Sequence, residues 1–156
     1  VQKYIGELYS RIFSELFGLK TVSLRYFNVY GPRQHTEGAY APVMGIFLRQ
    51  KAGGERLTVT GDGEQTRDFT HVSDVVKANI LALESEKVGR GEVINIGAGK
   101  NYSVNAIAKF IGGEIQYLPA RPGEILHTLA DITLAKKLLD WEPKVDMEEG
   151  IKQLLT

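Results

Sequence analysis

Cysteine is missing from this 156-residue chain, and with it go disulfide cross-links, thiolate zinc sites and cysteine nucleophiles. A surplus of either charge is missing too: 19 Lys+Arg stand against 19 Asp+Glu. Nucleic-acid binders usually carry a basic excess or one dense basic patch, and no lysine- or arginine-rich run occurs, so no nucleic-acid partner is expected. No apolar run reaches the ~20 residues that span a bilayer, and no secretory leader is visible. No membrane partner is expected, and a cytoplasmic setting fits. His35, His71 and His127 lie far apart without metal-ligand spacing, so no metal is expected. A Ser/His/Asp nucleophile arrangement cannot be assembled from the residue order either.

What is present is ordinary globular material, 43% hydrophobic and 24% charged, in a chain long enough to bury roughly two thirds of its unfolded surface. Residues 1–18 carry apolar side chains over a wide helical arc, with Gly18 as a C-terminal stop. Such an arc suits either a fully internal helix or one that meets both a sheet and a second subunit. Residues 21–30 are β-branched and aromatic, a single buried strand ended by Gly31-Pro32. A polar loop over 33–41 leads to a helix at 43–52, a strand at 57–60 and a turn at Gly61-Asp62-Gly63. A strand at 69–72 precedes a helix capped by Asp74 and running to Glu86, with Val75, Val76, Ile80 and Leu83 inward. Strands at 92–96 and 115–118 flank a helix capped by Ser103. Helices at 132–140, capped by Asp131, and at 146–155 close the chain. Helices and strands alternate throughout, so the class is α/β.

One stretch imitates a dinucleotide fingerprint: strand 92–96, then Gly97-Ala98-Gly99, then a helix. Tyr102 stands where a third small residue is needed, and the acid expected about 20 residues further on is missing. A plain turn is the better reading. Arg33, Arg67 and Arg121 each sit beside a Gly or Pro turn, where a scaffold displays functional side chains. A guanidinium can hold two phosphate oxygens at once, so two or three such groups suit a pyrophosphate. Asn28 is a lone amide in an apolar strand and must find partners, either in a neighbouring loop or on a ligand.

The run Leu24-Arg25-Tyr26-Phe27-Asn28-Val29-Tyr30-Gly31-Pro32-Arg33-Gln34 resembles the extended short-chain dehydrogenase/reductase family, specifically its nucleotide-sugar epimerases. Gly61-Asp62-Gly63-Glu64-Gln65-Thr66-Arg67-Asp68-Phe69, Val93-Ile94-Asn95-Ile96-Gly97, Arg121-Pro122-Gly123-Glu124, Ala130-Asp131-Ile132 and Trp141-Glu142-Pro143 continue in that family's order. Tyr26-Phe27-Asn28 and Phe69 are most similar to the UDP-glucose 4-epimerase branch.

The resemblance implies the C-terminal part of an extended Rossmann fold: late parallel-sheet elements plus a small α/β substrate-binding lobe. Residues 1–35 and 74–100 would be the Rossmann remnant, and 36–73 with 101–156 the sugar-nucleotide lobe. It implies NAD as cofactor and a UDP-sugar as ligand. In such epimerases a Tyr-x-x-x-Lys pair removes the sugar hydroxyl proton while NAD takes a hydride from C4, and the hydride returns to the other face of the ketone. Lys3 resembles that lysine, catalytic and cofactor-binding, with Tyr26 on the cofactor side. Its tyrosine would lie four residues earlier, before Val1, and the glycine-rich cofactor loop further upstream, so this chain alone is expected to be inactive. Asn28, Arg67 and Arg121 would hold the diphosphate and sugar, Glu124 the ribose, and Val43, Thr58 and Thr60 the rest of the substrate. Pro42 has no N–H to give before Val43, which weakens that contact. A homo-oligomer through the helix at 1–18 is expected. The alternatives are a dehydratase or decarboxylase of the same superfamily, or a module that binds nucleotide sugars without chemistry.

Overall fold

The computed structural model describes residues 1–38 and 41–155; Ala39 and Tyr40, in the expected 33–41 loop, lie outside them. The first half of the chain forms α1 (Gln2–Phe17), β1 (Val22–Tyr26), β2 (Val29–Tyr30), α2 (Val43–Ala52), β3 (Leu57–Thr60), β4 (Thr66–Asp68), β5 (Thr70–His71) and α3 (Val72–Glu84). The second half forms β6 (Glu92–Ile96), β7 (Asn101–Ser103), α4 (Val104–Ile111), β8 (Ile115–Leu118), α5 (Thr133–Leu139) and α6 (Met147–Leu155). Three strand pairs are parallel: β1 with β6, β2 with β5, and β3 with β8. The β4–β7 pair is antiparallel. Parallel partners joined through helices are the expected α/β architecture.

The expected strand over 21–30 is two strands. Its break falls at Asn28, whose φ of 27° lies in the left-handed region, which asparagine tolerates better than most side chains. Before the break β1 pairs with β6; after it β2 pairs with β5. β4 and β7 were not legible as strands, since each is three residues long.

α3 begins earlier than expected. His71 caps it, with Nδ1 accepting from Ser73 N at 3.3 Å. Asp74 is instead buried in the first turn, where its Oδ2 accepts from Val145 N. The inward face is also different: Val75, Ala78 and Ala82 are buried, while Val76, Ile80 and Leu83 are exposed. Alanines at this spacing let helices and strands approach closely, and an apolarity count overlooks them. The cap expected at Ser103 is present, whereas α5 starts one residue later than expected, with Ile132 at its N-cap position and Asp131 just outside it. Ser103 Oγ accepts from Ala106 N at 3.1 Å, and Asp131 Oδ1 from Thr133 N at 2.9 Å.

Two cores result. One gathers Val75, Ala78 and Ala82 of α3 with Ile94 and Ile96 of β6, and Ala135, Leu139 and Trp141 of the C-terminal third. The other gathers Tyr30, Met44, Phe47, Leu57, Val59, Phe69 and the buried faces of α4 and α6. A fully buried Phe47 or Leu57 contributes about 1.5–3 kcal/mol, so the second core gives β3 and the start of α2 a firm base. α1 buries no residue; Leu16 and Phe17 are 71% and 70% exposed. Among the described residues no helix is long and apolar enough to cross a membrane.

Candidate functional site

An open cavity of about 260 Å³ lies over the second core. Its walls come from the strand break at Asn28, the first turn of α2, β3, the 65–69 segment and the 118–124 loop. Asn28, Val43, Thr58, Thr60, Arg67, Arg121 and Glu124 all line it. Residues far apart in sequence therefore share one space. Lys3 and Tyr26 do not line it. Lys3 is exposed on the first turn of α1, and the Tyr26 hydroxyl donates to Asn79 Oδ1 on α3 at 2.9 Å. Arg33 is also elsewhere, in a separate hollow beside Arg49 and Leu154, so the three turn arginines reduce to two.

Each side chain is placed by local structure. The backbone break turns Asn28 toward the cavity rim, and its Nδ2 donates to Asp68 O at 2.7 Å. Arg67 is largely buried on β4; its Nη1 donates to Thr66 O at 2.9 Å and Leu126 O at 3.4 Å. Its Nη2 is 3.6 Å from Glu124 Oε1. Arg121 is exposed in the 118–124 loop. α2 opens on Pro42 with no side-chain cap, so its first-turn N–H groups add positive partial charge to the same wall. Two guanidiniums and a helix start against one carboxylate make a site for an anion.

β3 supplies the other wall. It bonds to β8 through alternate residues, Leu57 N to Glu114 O at 2.8 Å and Gly61 N to Leu118 O at 2.9 Å. Thr58 and Thr60 therefore turn their backbone groups to the opposite edge, which no strand covers among the described residues. Burial pushes the Tyr30 phenol well above the usual tyrosine range, with Asp74 and Asp146 adding to the effect. Tyr30 lines the cavity, but its hydroxyl lies beside Gly150 of α6, where an added Cβ would come within 2.2 Å of it. Glu124 is paired with Arg67 across the same cavity.

The Gly97-Ala98-Gly99 turn has its amides committed inward. Asp68, fully buried, accepts from Ala98 N at 2.7 Å, Gly99 N at 3.0 Å and Ala130 N at 3.0 Å. A Cβ on Gly97 would lie 2.2 Å from Ala130 Cβ, so the glycine serves this internal packing. Burial pushes the Asp68 carboxyl up, opposed by the three N–H groups. Gln50, Gln65 and Asp68 were not singled out by sequence. For Gln50 a signal existed: it continues the buried spacing of Met44 and Phe47 on α2, an amide at a core position. Asp68 offered none.

Parallel strand pairs and interleaved helices, with the cavity at the strand ends, place the chain in the extended Rossmann class of α/β proteins. The chain belongs to the NAD dependent epimerase/dehydratase family, which matches residues 1–97 and whose cofactor is NAD. The structure of a UDP-glucose 4-epimerase from Thermotoga maritima with UDP-glucose has a TM-score of 0.89 and 43% identity, covering 97% of this chain and 50% of that one. UDP-N-acetylglucosamine 4-epimerase from Methanobrevibacter ruminantium, in complex with UDP-N-acetylmuramic acid, has a TM-score of 0.89 at 40% identity, covering 96% and 49%. A UDP-N-acetyl-alpha-D-glucosaminuronate decarboxylase of Bacillus cytotoxicus is 39% identical over 90% of this chain and 46% of its own length. The chain thus spans about half the length of these relatives.

Proposed function

We propose that this chain is the substrate-binding half of an NAD-dependent nucleotide-sugar epimerase of the UDP-glucose 4-epimerase type. The observation that carries the reading is the meeting of Asn28, Arg67 and Arg121 in one cavity with Thr58, Thr60 and Glu124. On this reading the two guanidiniums and Asn28 hold the diphosphate and sugar, Glu124 takes the ribose hydroxyls, and the free edge of β3 faces the base. Substrates named for the relatives are UDP-sugars, which supports that assignment. Residues 1–35 and 74–100 form the Rossmann remnant, and the rest the lobe that closes over the ligand in the cytoplasm.

When bound, NAD supplies hydride removal and return at the sugar carbon. The described residues fit one end of it: Lys3, exposed at the start of α1 and free of hydrogen bonds and ion pairs among the described residues, suits a ribose hydroxyl. The Gly97-Ala98-Gly99 turn, the one that imitates a dinucleotide fingerprint, has its amides taken by Asp68 rather than turned to a diphosphate. The chain alone therefore binds nucleotide sugar in preference to NAD and does not epimerise it.

Calorimetry with UDP-galactose, dTDP-glucose and NAD tests this. UDP-galactose binding that Arg67→Ala or Arg121→Ala weakens about tenfold or more is the expected result. Binding to NAD but to no nucleotide sugar would overturn it. The decarboxylase relative supports a second reading, under which UDP-glucuronate binds more tightly than UDP-galactose.

A further inference from the structure

Two buried glutamines reach the open edge of β3, and nothing in the reaction accounts for them. Gln50 is 5% exposed and Gln65 7%. Gln50 Oε1 accepts from Thr58 N at 3.1 Å, and its Nε2 donates to Thr58 Oγ1 at 2.9 Å. A backbone N–H can only donate, so the orientation of this amide is fixed by chemistry. Gln65 Nε2 donates to Thr60 O at 2.9 Å, and a carbonyl can only accept, which fixes the second amide as well.

The edge carries four backbone groups: N–H and C=O of Thr58, and N–H and C=O of Thr60. The glutamines take the outer two, Thr58 N–H and Thr60 C=O. Thr58 C=O and Thr60 N–H remain, one acceptor and one donor side by side. Thr58 Oγ1 accepts from Gln50 and retains its own proton as a donor, on a residue that lines the cavity.

We propose that Gln50 and Gln65 are positioning residues for base recognition: by occupying the flanking groups they leave one donor–acceptor register on β3, matched to the imide edge of a uracil-type base. This rests on the nucleotide-sugar reading above. With either glutamine gone, a neighbouring register opens and the base loses its single seat.

The test is the ratio of two affinities measured by calorimetry on this chain, for UDP and for inorganic pyrophosphate, which has no base. Gln50→Met and Gln65→Met keep the side-chain length and remove the amides. Each is expected to weaken UDP binding about tenfold and leave pyrophosphate binding unchanged, while Gln50→Glu, which still accepts from Thr58 N, recovers part of the loss. Equal weakening of both ligands, no weakening, or failure of both Met variants to fold would mark the glutamines as structural only and overturn the proposal. A wild-type chain that binds UDP no better than pyrophosphate would instead sink the nucleotide reading itself.

Discussion

Arg67 and Glu124 face each other at 3.6 Å on the wall of the cavity, a cation and an anion 57 positions apart in sequence. The guanidinium is held from behind by Thr66 O and Leu126 O, so Glu124 is the more movable partner. The site carries its own counter-ion, and an incoming diphosphate must share Arg67 with it.

Glu124→Gln removes that competitor. Inorganic pyrophosphate should then bind about threefold or more tightly, with the gain shrinking as salt rises from 0.05 to about 0.5 M. UDP should gain less, because the same change weakens a ribose contact. Calorimetry at two ionic strengths reads both effects, and an unchanged pyrophosphate affinity would show that the pair does not guard the site.

Asp68→Ala leaves the N–H groups of Ala98, Gly99 and Ala130 without their acceptor. Unpaired buried donors cost about 1–3 kcal/mol each, so the midpoint of thermal unfolding should fall on the order of 10 °C. Asp68→Asn keeps one acceptor oxygen and should fall between. The pH sense follows from burial having raised this carboxyl. The protonated form is favoured by folding, so the advantage of wild type over Asp68→Asn is greatest below the usual carboxylate range of about 4. It declines as pH rises through the raised value. Urea unfolding of both proteins from pH 3.5 to 7 gives the difference directly.

His71 supplies a second pH test of opposite sense. Its Nδ1 lies 2.7 Å from Ser73 Oγ and 3.3 Å from Ser73 N, and its Nε2 is buried without a partner among the described residues. Burial pushes this imidazole below the usual histidine range, against a smaller opposing pull from Asp74. The unfolded chain takes up the proton first, near pH 6.5, so stability present above that pH is lost as pH falls toward the depressed value. Wild type should lose roughly 2–4 °C more than His71→Phe between pH 7 and 5. His35 and His127 occur in both proteins and cancel.

The apolar face of α1 should drive self-association. Tyr4, Tyr9, Leu16 and Phe17 are all more than half exposed, an area larger than single surface hydrophobics explain. Sedimentation velocity should show a concentration-dependent shift that Leu16→Lys with Phe17→Lys abolishes. A strictly monomeric wild type would remove the homo-oligomer from the proposal.

Much of this architecture could be read from residue order because the signals were local. Gly18 stopping α1, Ser103 capping α4 and the β-branched run of β3 each follow from the chemistry of a few adjacent residues. The cavity residues were legible through motif order, and their meeting in one space depended on turns at Gly61-Asp62-Gly63 and Pro122-Gly123. What could not be read was contact made at a distance. The break at Asn28 depends on a carbonyl 40 residues away. The inward face of α3 was misjudged because Ala78 and Ala82 contribute closeness rather than bulk. Arg33 looked equivalent to Arg67 and Arg121 in its surroundings, and only the path of the chain after Pro32 separates them.

Asp68 has a larger role than its three hydrogen bonds suggest. Its backbone carbonyl is gripped by Asn28, and its carboxylate by Ala98, Gly99 and Ala130, so four stretches where the chain passes between its two cores are knotted at a single residue. The cores cannot swing apart without undoing that knot, and a molecule seated against Asn28 presses on it directly. Occupancy of the cavity should therefore be felt as far away as β6, as slowed amide exchange on both sides of the molecule at once.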